Sequence, residues 1–273
     1  AYLCDCALAP LHGAGYHSHE PSSECFAALI VLMMPATVPY AVVAAAVIVA
    51  VLAKEAFGGE GHYPFHPAAV GMVVAGISWP DSVYRYPTPG NVLPLFVEQD
   101  LVLSPGMNSI LRAGGLPSDS TMNLLTGNAA GGLGTSAALV IMACGLFLLV
   151  RGHIKPAVLI PFFVLSIGQL NELPAFSWPW EFVRQRIYLE KYVILSGTLL
   201  FGGLFLVCEP VTMPNRTSSR LVYGVALGVA TYAFRLVSPY ESPVCFALLI
   251  VGAIPEWLDL ISHRTERIRF MRK

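Results

Sequence analysis

A carboxylate and a hydroxyl stand at the end of a membrane-length apolar run. Residues 189–208 form that run, and Glu209, Pro210, Val211 and Thr212 follow it directly. Ionisable side chains and irregular backbone occur at membrane depth only where protein buries them or where they line a cavity. We therefore predict that Glu209 and Thr212 lie on an ion pathway. The alternative is that Glu209 lies in the headgroup zone and only solvates the helix end.

A second polar block, from residue 57 to residue 69, leads into a half-length helix. It holds three glycines, which allow close backbone approach, and two prolines that frame the helix start. The first turn of a helix offers N–H groups and a partial positive charge, which suit an anionic ligand. We predict that Phe65, His66 and Pro67 contact a cofactor. A plain turn, with His66 as a satisfied interfacial histidine, is the alternative.

A glycine-rich loop over residues 127–136 opens a later helix. Its glycines Gly131, Gly132 and Gly134 precede the predicted start of the helix at Thr135 or Ser136. Such a loop can cradle a phosphate with its backbone N–H groups, so these glycines are candidate cofactor-binding residues. The alternative is that they let membrane helices pack closely.

The cysteines and histidines predict no metal centre, and no residue is singled out as catalytic. The six cysteines show no disulfide framework. Cys4 and Cys6, with the three histidines at positions 12, 17 and 19, do not have the spacing of a zinc site.

The composition is that of a membrane protein. Of the 273 residues, 55% are hydrophobic and only 12% are charged, and the mean hydropathy is +0.64. Soluble domains carry about 25% charged residues, so lipid must cover much of this surface. The net charge of −1 excludes nucleic acid as a partner, because such binding needs a basic face.

We predict a single all-α integral membrane domain over residues 1–273, with broken and half-length helices. A full crossing needs about 20 apolar residues, and several runs here are cut by proline. Half-length helices are predicted at 26–34 and 64–80, and crossings at 39–57, 134–150, 155–171, 190–208, 219–236 and 243–262. The similar interruptions at Pro35 and Pro210 indicate two internal repeats with a site between them.

Basic residues orient the chain in the membrane. The tail at 263–273 holds five basic residues, so it is predicted to be cytoplasmic. Counting helices back from the tail places residues 81–133, which hold no full crossing, on the other side of the membrane as a long non-cytoplasmic loop segment.

Four collinear blocks between about residues 22 and 262 carry a family resemblance. The block at 57–71 resembles the motif FGGLG…FNPA…G, with His66 where asparagine is usual. The block at 201–214 resembles FGA.FMATDPVTSP, with Glu209 for the usual aspartate. The blocks at 124–137 and 223–247 match in the same order. The chain thus resembles the RnfD subunits of the Rnf ion-translocating electron transport complexes and, more distantly, the NqrB subunit of the sodium-pumping NADH:quinone reductase.

The resemblance implies a multi-pass subunit in the cell inner (cytoplasmic) membrane. It implies a fold of two inverted repeats like that of urea channels, and a complex that passes electrons between ferredoxin and NAD while moving Na+ or H+. Other membrane subunits and iron–sulfur or flavin subunits are the implied partners. Family members carry FMN esterified to a threonine in a D…S.AT motif, and a second flavin among the helices is also expected.

The chain departs from the family at the flavin attachment motif. Asp100 and Ser104 match that motif, but Gly106 stands where the acceptor threonine is expected. Glycine has no hydroxyl, so covalent FMN is not expected. We predict instead that a flavin, either FMN or riboflavin, binds non-covalently, with Ser104, Gly106 and Thr212 among its contacts.

Two other functions fit the same residues. One is a small-solute or ion channel on the same scaffold, which would move its solute without an electron donor. The other is a degenerate structural subunit, which the missing threonine favours. The chain is expected to be part of an enzyme only as a subunit of a translocating oxidoreductase.

Overall fold

The computed structural model describes residues 1–8, 22–57, 59, 61–88, 102–113, 120–167, 191–195 and 198–255. These residues are mostly helical. The α-helices are α1 (Tyr2–Leu8), α2 (Ser22–Met33), α3 (Tyr40–Ala56), α4 (Pro67–Ser78), α5 (Pro80–Val83), α6 (Met107–Arg112), α7 (Thr121–Thr126), α8 (Ala138–Val150), α9 (Pro156–Ile167), α10 (Thr198–Phe201), α11 (Thr217–Val237) and α12 (Pro243–Val251).

A short antiparallel ribbon, which the sequence did not predict, joins the two described parts of the 81–113 region. Its strands are β1 (Arg85–Pro87) and β2 (Leu103–Pro105), and Tyr86 lies opposite Ser104. The ribbon holds the start of α6 close to the end of α5. The basic tail at 263–273 and the predicted interfacial segment at 172–188 lie outside the described residues.

Two helices have the half-length that the sequence predicts. Helices α2 and α4 each contain 12 residues, about 18 Å at 1.5 Å per residue, against a hydrocarbon thickness of about 30 Å. Pro35 disfavours helical backbone at the residue before it, so α2 stops at Met33. Pro67 occupies the first position of α4, where its missing N–H costs nothing.

The helices of the described residues match some predicted crossings in length and differ from others. Among the described residues, Thr217–Val237 is the one helix that has the length and the apolar composition to span a membrane. The helices found in the predicted crossings at 134–150 and 155–171 are Ala138–Val150 and Pro156–Ile167. At 134–150 the apolar run includes residues of the preceding turn, so the helix begins four residues later than predicted. Residues 168–171 of the other predicted crossing lie outside the described residues.

The predicted crossing at 190–208 is not one regular helix. Residues 191–195 and α10 are α-helical, and the segment Gly202–Leu206 is π-helical. A Cβ atom on Gly203 would lie 2.8 Å from the ring of Phe162. The lack of a side chain at Gly203 therefore lets the Phe162 ring pack directly on the backbone. Such π segments are frequent at functional sites, and this one ends just before Glu209.

The long helix α11 packs closely along α9 through two glycines. A Cβ atom on Gly224 would lie 2.5 Å from the carbonyl oxygen of Val158, and one on Gly228 would lie 2.9 Å from that of Phe162. The spacing of four residues places both glycines on one face of α11, as in small-residue contacts between membrane helices. Away from this contact the helix exposes apolar side chains, among them Val225 and Val229.

The half-length helix α4 and helix α12 run antiparallel. At one end, the Tyr84 hydroxyl, which follows α4 and α5, shares a 2.7 Å hydrogen bond with Ser242, the residue before α12. At the other end, a Cβ atom on Gly252 would lie 3.0 Å from the carbonyl oxygen of Pro64, shortly before α4. Each helix therefore begins where the other ends.

Candidate functional site

Glu209 lies in a buried polar cluster that joins the two interrupted regions of the chain. Its Oε1 accepts a hydrogen bond of 2.6 Å from the Tyr63 hydroxyl, and its Oε2 accepts one of 3.3 Å from the Thr212 hydroxyl. The Nε2 atom of His66 is 3.6 Å from Oε2. The Glu209 side chain is 11% exposed and that of His66 is 1% exposed. The structure thus brings together His66, Glu209 and Thr212 from two separate blocks of the sequence.

The local backbone explains why these side chains meet. The π segment and Pro210 end the helical run, so Glu209 projects from irregular backbone. His66 is the N-cap residue of α4, and the partial positive charge of a helix start stabilises a nearby carboxylate. Tyr223 of α11 is fully buried beside Thr212 and Glu209. The cluster, made of Tyr63, His66, Glu209, Thr212 and Tyr223, is called the Glu209 cluster below.

The buried imidazole of His66 lacks a hydrogen bond within the described part of the chain. Neither Nδ1 nor Nε2 has a partner among these residues, and the 3.6 Å contact with Glu209 is too long for a hydrogen bond. The ring of Phe26 lies edge-on to the imidazole at 5.5 Å and to the Tyr63 ring at 5.7 Å. Leaving a buried polar group without a partner costs about 1–3 kcal/mol. This histidine is therefore not the satisfied interfacial residue of the alternative interpretation.

The two neighbours of His66 in the predicted cofactor set have packing roles. The Phe65 ring packs edge-on against Phe57 at 5.5 Å, and Pro67 is the buried first residue of α4. Of these three residues, His66 alone reaches the Glu209 cluster in the contacts that the structure describes.

The glycine-rich loop covers the carboxyl end of α2. The amide of Leu133 donates to the carbonyl of Met34 at 3.0 Å, and the amide of Gly134 donates to that of Leu32 at 2.7 Å. A Cβ atom on Gly132 would lie 2.6 Å from the carbonyl oxygen of Met33. The last carbonyls of a helix have no partner within it, and the loop supplies one. This is the close-packing role that was the alternative to a phosphate cradle.

The Gly106 region is closed by a buried carboxylate. Glu241 accepts hydrogen bonds from the amides of Ser109 (2.8 Å) and Asn108 (3.2 Å). A Cβ atom on Gly106 would lie 2.6 and 2.7 Å from the two carboxylate oxygens, so a side chain has no room there. Met107, the next residue, is buried and also lacks a hydroxyl. Burial raises the pKa of Glu241, and the two amide hydrogen bonds partly offset this rise.

A cavity of about 590 Å³ opens beside Glu241. Its wall includes the rings of Tyr84 and Tyr240, whose centroids are 5.6 Å apart. Arg85, which also lines the cavity, forms a 2.8 Å ion pair with Asp81. Cavities of about 300–1,000 Å³ with aromatic walls and few polar groups are typical of small-molecule sites.

The sequence profile of the NQR2, RnfD, RnfE family matches residues 5–266. The chain belongs to this family. Its relatives include the D subunit of the ion-translocating oxidoreductase complex of Pseudomonas aeruginosa strain UCBPP-PA14, which is 29% identical over 279 residues covering 95% of this chain and 78% of the relative. The D subunit from Cronobacter sakazakii is 26% identical over 274 residues, covering 89% of this chain and 77% of the relative.

Three residues described above were not predicted from the sequence: Tyr63 and Tyr223 of the Glu209 cluster, and Glu241 beside Gly106. Tyr223 lies in an apolar run, where an aromatic residue is ordinarily core, and Tyr63 lies in the polar block at 57–69, where nothing local links it to Glu209. Each lies inside a motif block that carried the resemblance, which was the one signal available. Glu241 stands two residues before Pro243, which is the first residue of helix α12. An acidic residue just before such a helix start was the signal that could have identified it.

The close packing of Gly106 against Glu241 gives a prediction about stability. We expect Gly106→Ala to destabilise the protein by about 1–3 kcal/mol, the usual cost of forcing an extra methyl group into a packed site. The reason is the collision of the new Cβ atom with the Glu241 carboxylate. Thermal unfolding of the purified protein in detergent measures the loss.

A double-mutant cycle with Glu241→Ala isolates this collision. In the Glu241→Ala background the added methyl group has room, so Gly106→Ala should cost much less there than in the native background. Equal costs in the two backgrounds would show that Glu241 does not fill the space beside Gly106.

Proposed function

We propose that this chain is the membrane-embedded D subunit of an Rnf-type complex, which couples electron transfer between ferredoxin and NAD to the movement of Na+ or H+. The family match over residues 5–266 carries the proposal, and the matched relatives are named as the D subunits of ion-translocating oxidoreductase complexes. The chain then lies in the inner (cytoplasmic) membrane as a multi-pass protein. Its partners are the other membrane, iron–sulfur and flavin subunits of such a complex.

The Glu209 cluster is the part of this chain proposed to lie on the ion pathway. Glu209 is the carboxylate of the cluster, and it is held by Tyr63 and Thr212 at the start of a half-length helix. Broken helices that place such a site at membrane depth are a feature of transporters built from inverted repeats. The antiparallel arrangement of α4 and α12 supports two inverted repeats, one containing α2–α4 and the other α10–α12, as in the urea-channel-like fold.

We propose that flavin binds non-covalently in the cavity beside Glu241. Tyr84 and Tyr240 supply aromatic surface there, and Arg85 supplies a hydrogen-bond donor. The carboxylate of Glu241 disfavours a phosphate group close to Gly106 by like-charge repulsion, so the residues fit riboflavin better than FMN. A flavin held there would supply a redox step within the membrane subunit. The chain's own part is to bind and orient the ring.

Purification of the native complex through a tag on this chain tests the proposal. We expect iron–sulfur and flavin subunits to copurify, and we expect flavin fluorescence after denaturation. In liposomes, the complex should move ions only when reduced ferredoxin and NAD are both supplied. Ion or solute flux without an electron donor would contradict the proposal and favour a channel. Purification of the chain without redox partners would contradict it as well.

A further inference from the structure

We propose that His66 and Glu209 form a proton-carrying pair, so that the ion moved through this chain is H+ rather than Na+. The inference rests on the proposed function and names the ion that the function leaves open. Its starting point is the juxtaposition of a buried imidazole and a buried carboxylate, 3.6 Å apart, on two segments far apart in sequence.

The imidazole is the group that points to a proton. His66 is 1% exposed, and neither ring nitrogen has a hydrogen-bond partner among the described residues. Imidazole titrates near neutral pH and binds and releases protons readily. Closing the gap from 3.6 Å to an ordinary hydrogen-bond length of about 2.9 Å requires a side-chain shift of about 0.7 Å. The pair is therefore placed to make its hydrogen bond when a proton arrives.

The oxygen atoms of the cluster are arranged for a proton rather than for a metal cation. Hard cations require several oxygen ligands. Here one carboxylate oxygen accepts the Tyr63 hydroxyl at 2.6 Å and the other accepts the Thr212 hydroxyl. The third group around the carboxylate is an imidazole, whose nitrogens are poor ligands for hard cations. The related motif has asparagine, which carries an amide oxygen, at this position.

The transfer step balances without any other reactant. A proton on Oε2 of Glu209 passes to Nε2 of His66, so one O–H bond breaks and one N–H bond forms, leaving a carboxylate beside an imidazolium. The solvent exposure of the two side chains gives the order in which a proton from water reaches them. Glu209 is 11% exposed and His66 is 1% exposed, so water reaches the carboxylate first and the imidazole is the inner acceptor.

The titratable groups on the elements around the pair include two tyrosines and a lysine. Tyr63, on the loop before α4, donates to the carboxylate, and Tyr223 faces it from α11. Helix α2 presents the Phe26 ring. On α3, Lys54 lies 2.8 Å from Ser23 and 3.2 Å from Glu55, so its positive charge is matched by a neighbouring carboxylate.

Transport by the reconstituted complex in sodium-free buffer tests the wild-type protein directly. With reduced ferredoxin and NAD, we expect a pH-sensitive dye to report proton movement at an unchanged rate when choline replaces Na+. In a parallel assay with radioactive sodium in the medium, the label should not accumulate in the vesicles. Ion movement that requires Na+, together with radioactive sodium inside the vesicles, would overturn the proton pair but leave the proposed function standing. Absence of any electron-driven ion movement would overturn both.

His66→Asn tests the residue itself and restores the side chain that is usual in the related motif. We expect at least a tenfold loss of proton movement. His62→Asn is the matched control, because His62 is exposed and lies four residues earlier in the same block; it should transport at the wild-type rate. Proton movement by His66→Asn equal to that of the control would overturn the proposal. If His66→Asn does not assemble, the sodium-free measurement on the wild-type complex still decides it.

Discussion

Replacing Glu209 by glutamine is expected to lower electron-driven ion movement by at least tenfold. Glutamine keeps the shape of the side chain and one oxygen that can accept the Tyr63 hydrogen bond. It cannot carry the negative charge or take up a proton, and intramembrane carboxylates owe their function to those two properties. Ion movement into proteoliposomes, driven by reduced ferredoxin and NAD, measures the effect.

Glu209→Asp is the matched control for this prediction. Aspartate retains the carboxylate and is the usual residue of the related motif, so we expect most of the transport to remain. A glutamine variant that transports at the wild-type rate would show that Glu209 has no part in ion movement. That result would favour the interpretation of the chain as a structural subunit.

Gly224→Leu in the long helix is expected to prevent stable assembly of the membrane domain. A Cβ atom at this position would lie 2.5 Å from the carbonyl oxygen of Val158, and backbone cannot move aside as a side-chain end can. Overpacking typically lowers the free energy of unfolding by about 1–3 kcal/mol and sometimes by more. A leucine forced against backbone lies at the upper end of this range, so we expect a loss of about 3 kcal/mol or more. Yield and thermal unfolding in detergent measure it.

Val225→Leu, one residue along, is the control for this prediction. Val225 belongs to the same helix but is 43% exposed, so the larger side chain has space toward the lipid. We expect its unfolding temperature to equal that of the wild type. Similar losses for Val225→Leu and Gly224→Leu would mean that helix α11 tolerates no added volume on either face, and that the glycine contact with α9 is not the cause.

The parts of the site that follow from local chemistry could be predicted from the sequence. Pro35 and Pro67 mark the ends of the half-length helices because proline acts on the backbone beside it. Glu209 and Thr212 could be predicted as a pair because they stand three positions apart in the chain. The hydrogen bond from Tyr63 could not, since it joins residues 146 positions apart and depends on how the helices pack.

Uniformly apolar sequence and glycine-rich sequence both leave the local structure undetermined. Over 190–208 the side chains are nearly all apolar, so no periodicity distinguishes an α-helix from the π-helical segment at Gly202–Leu206. The glycine-rich loop is equally ambiguous, because the same small residues serve a phosphate or a neighbouring helix. In the structure, the amide of Gly134 donates to the carbonyl of Leu32 at the end of α2, which lies far from it in sequence. Cofactor binding by the loop stays a prediction.

The antiparallel pair of helices α4 and α12 has a consequence for cations that approach it. Each end of the pair presents one helix start with a carboxylate beside it: Glu209 near the start of α4, and Glu241 just before α12. A cation that approaches either end of the pair thus meets a carboxylate beside a helix start, and the groups around the two carboxylates differ: His66 at Glu209, and Arg85 with Asp81 in the cavity beside Glu241.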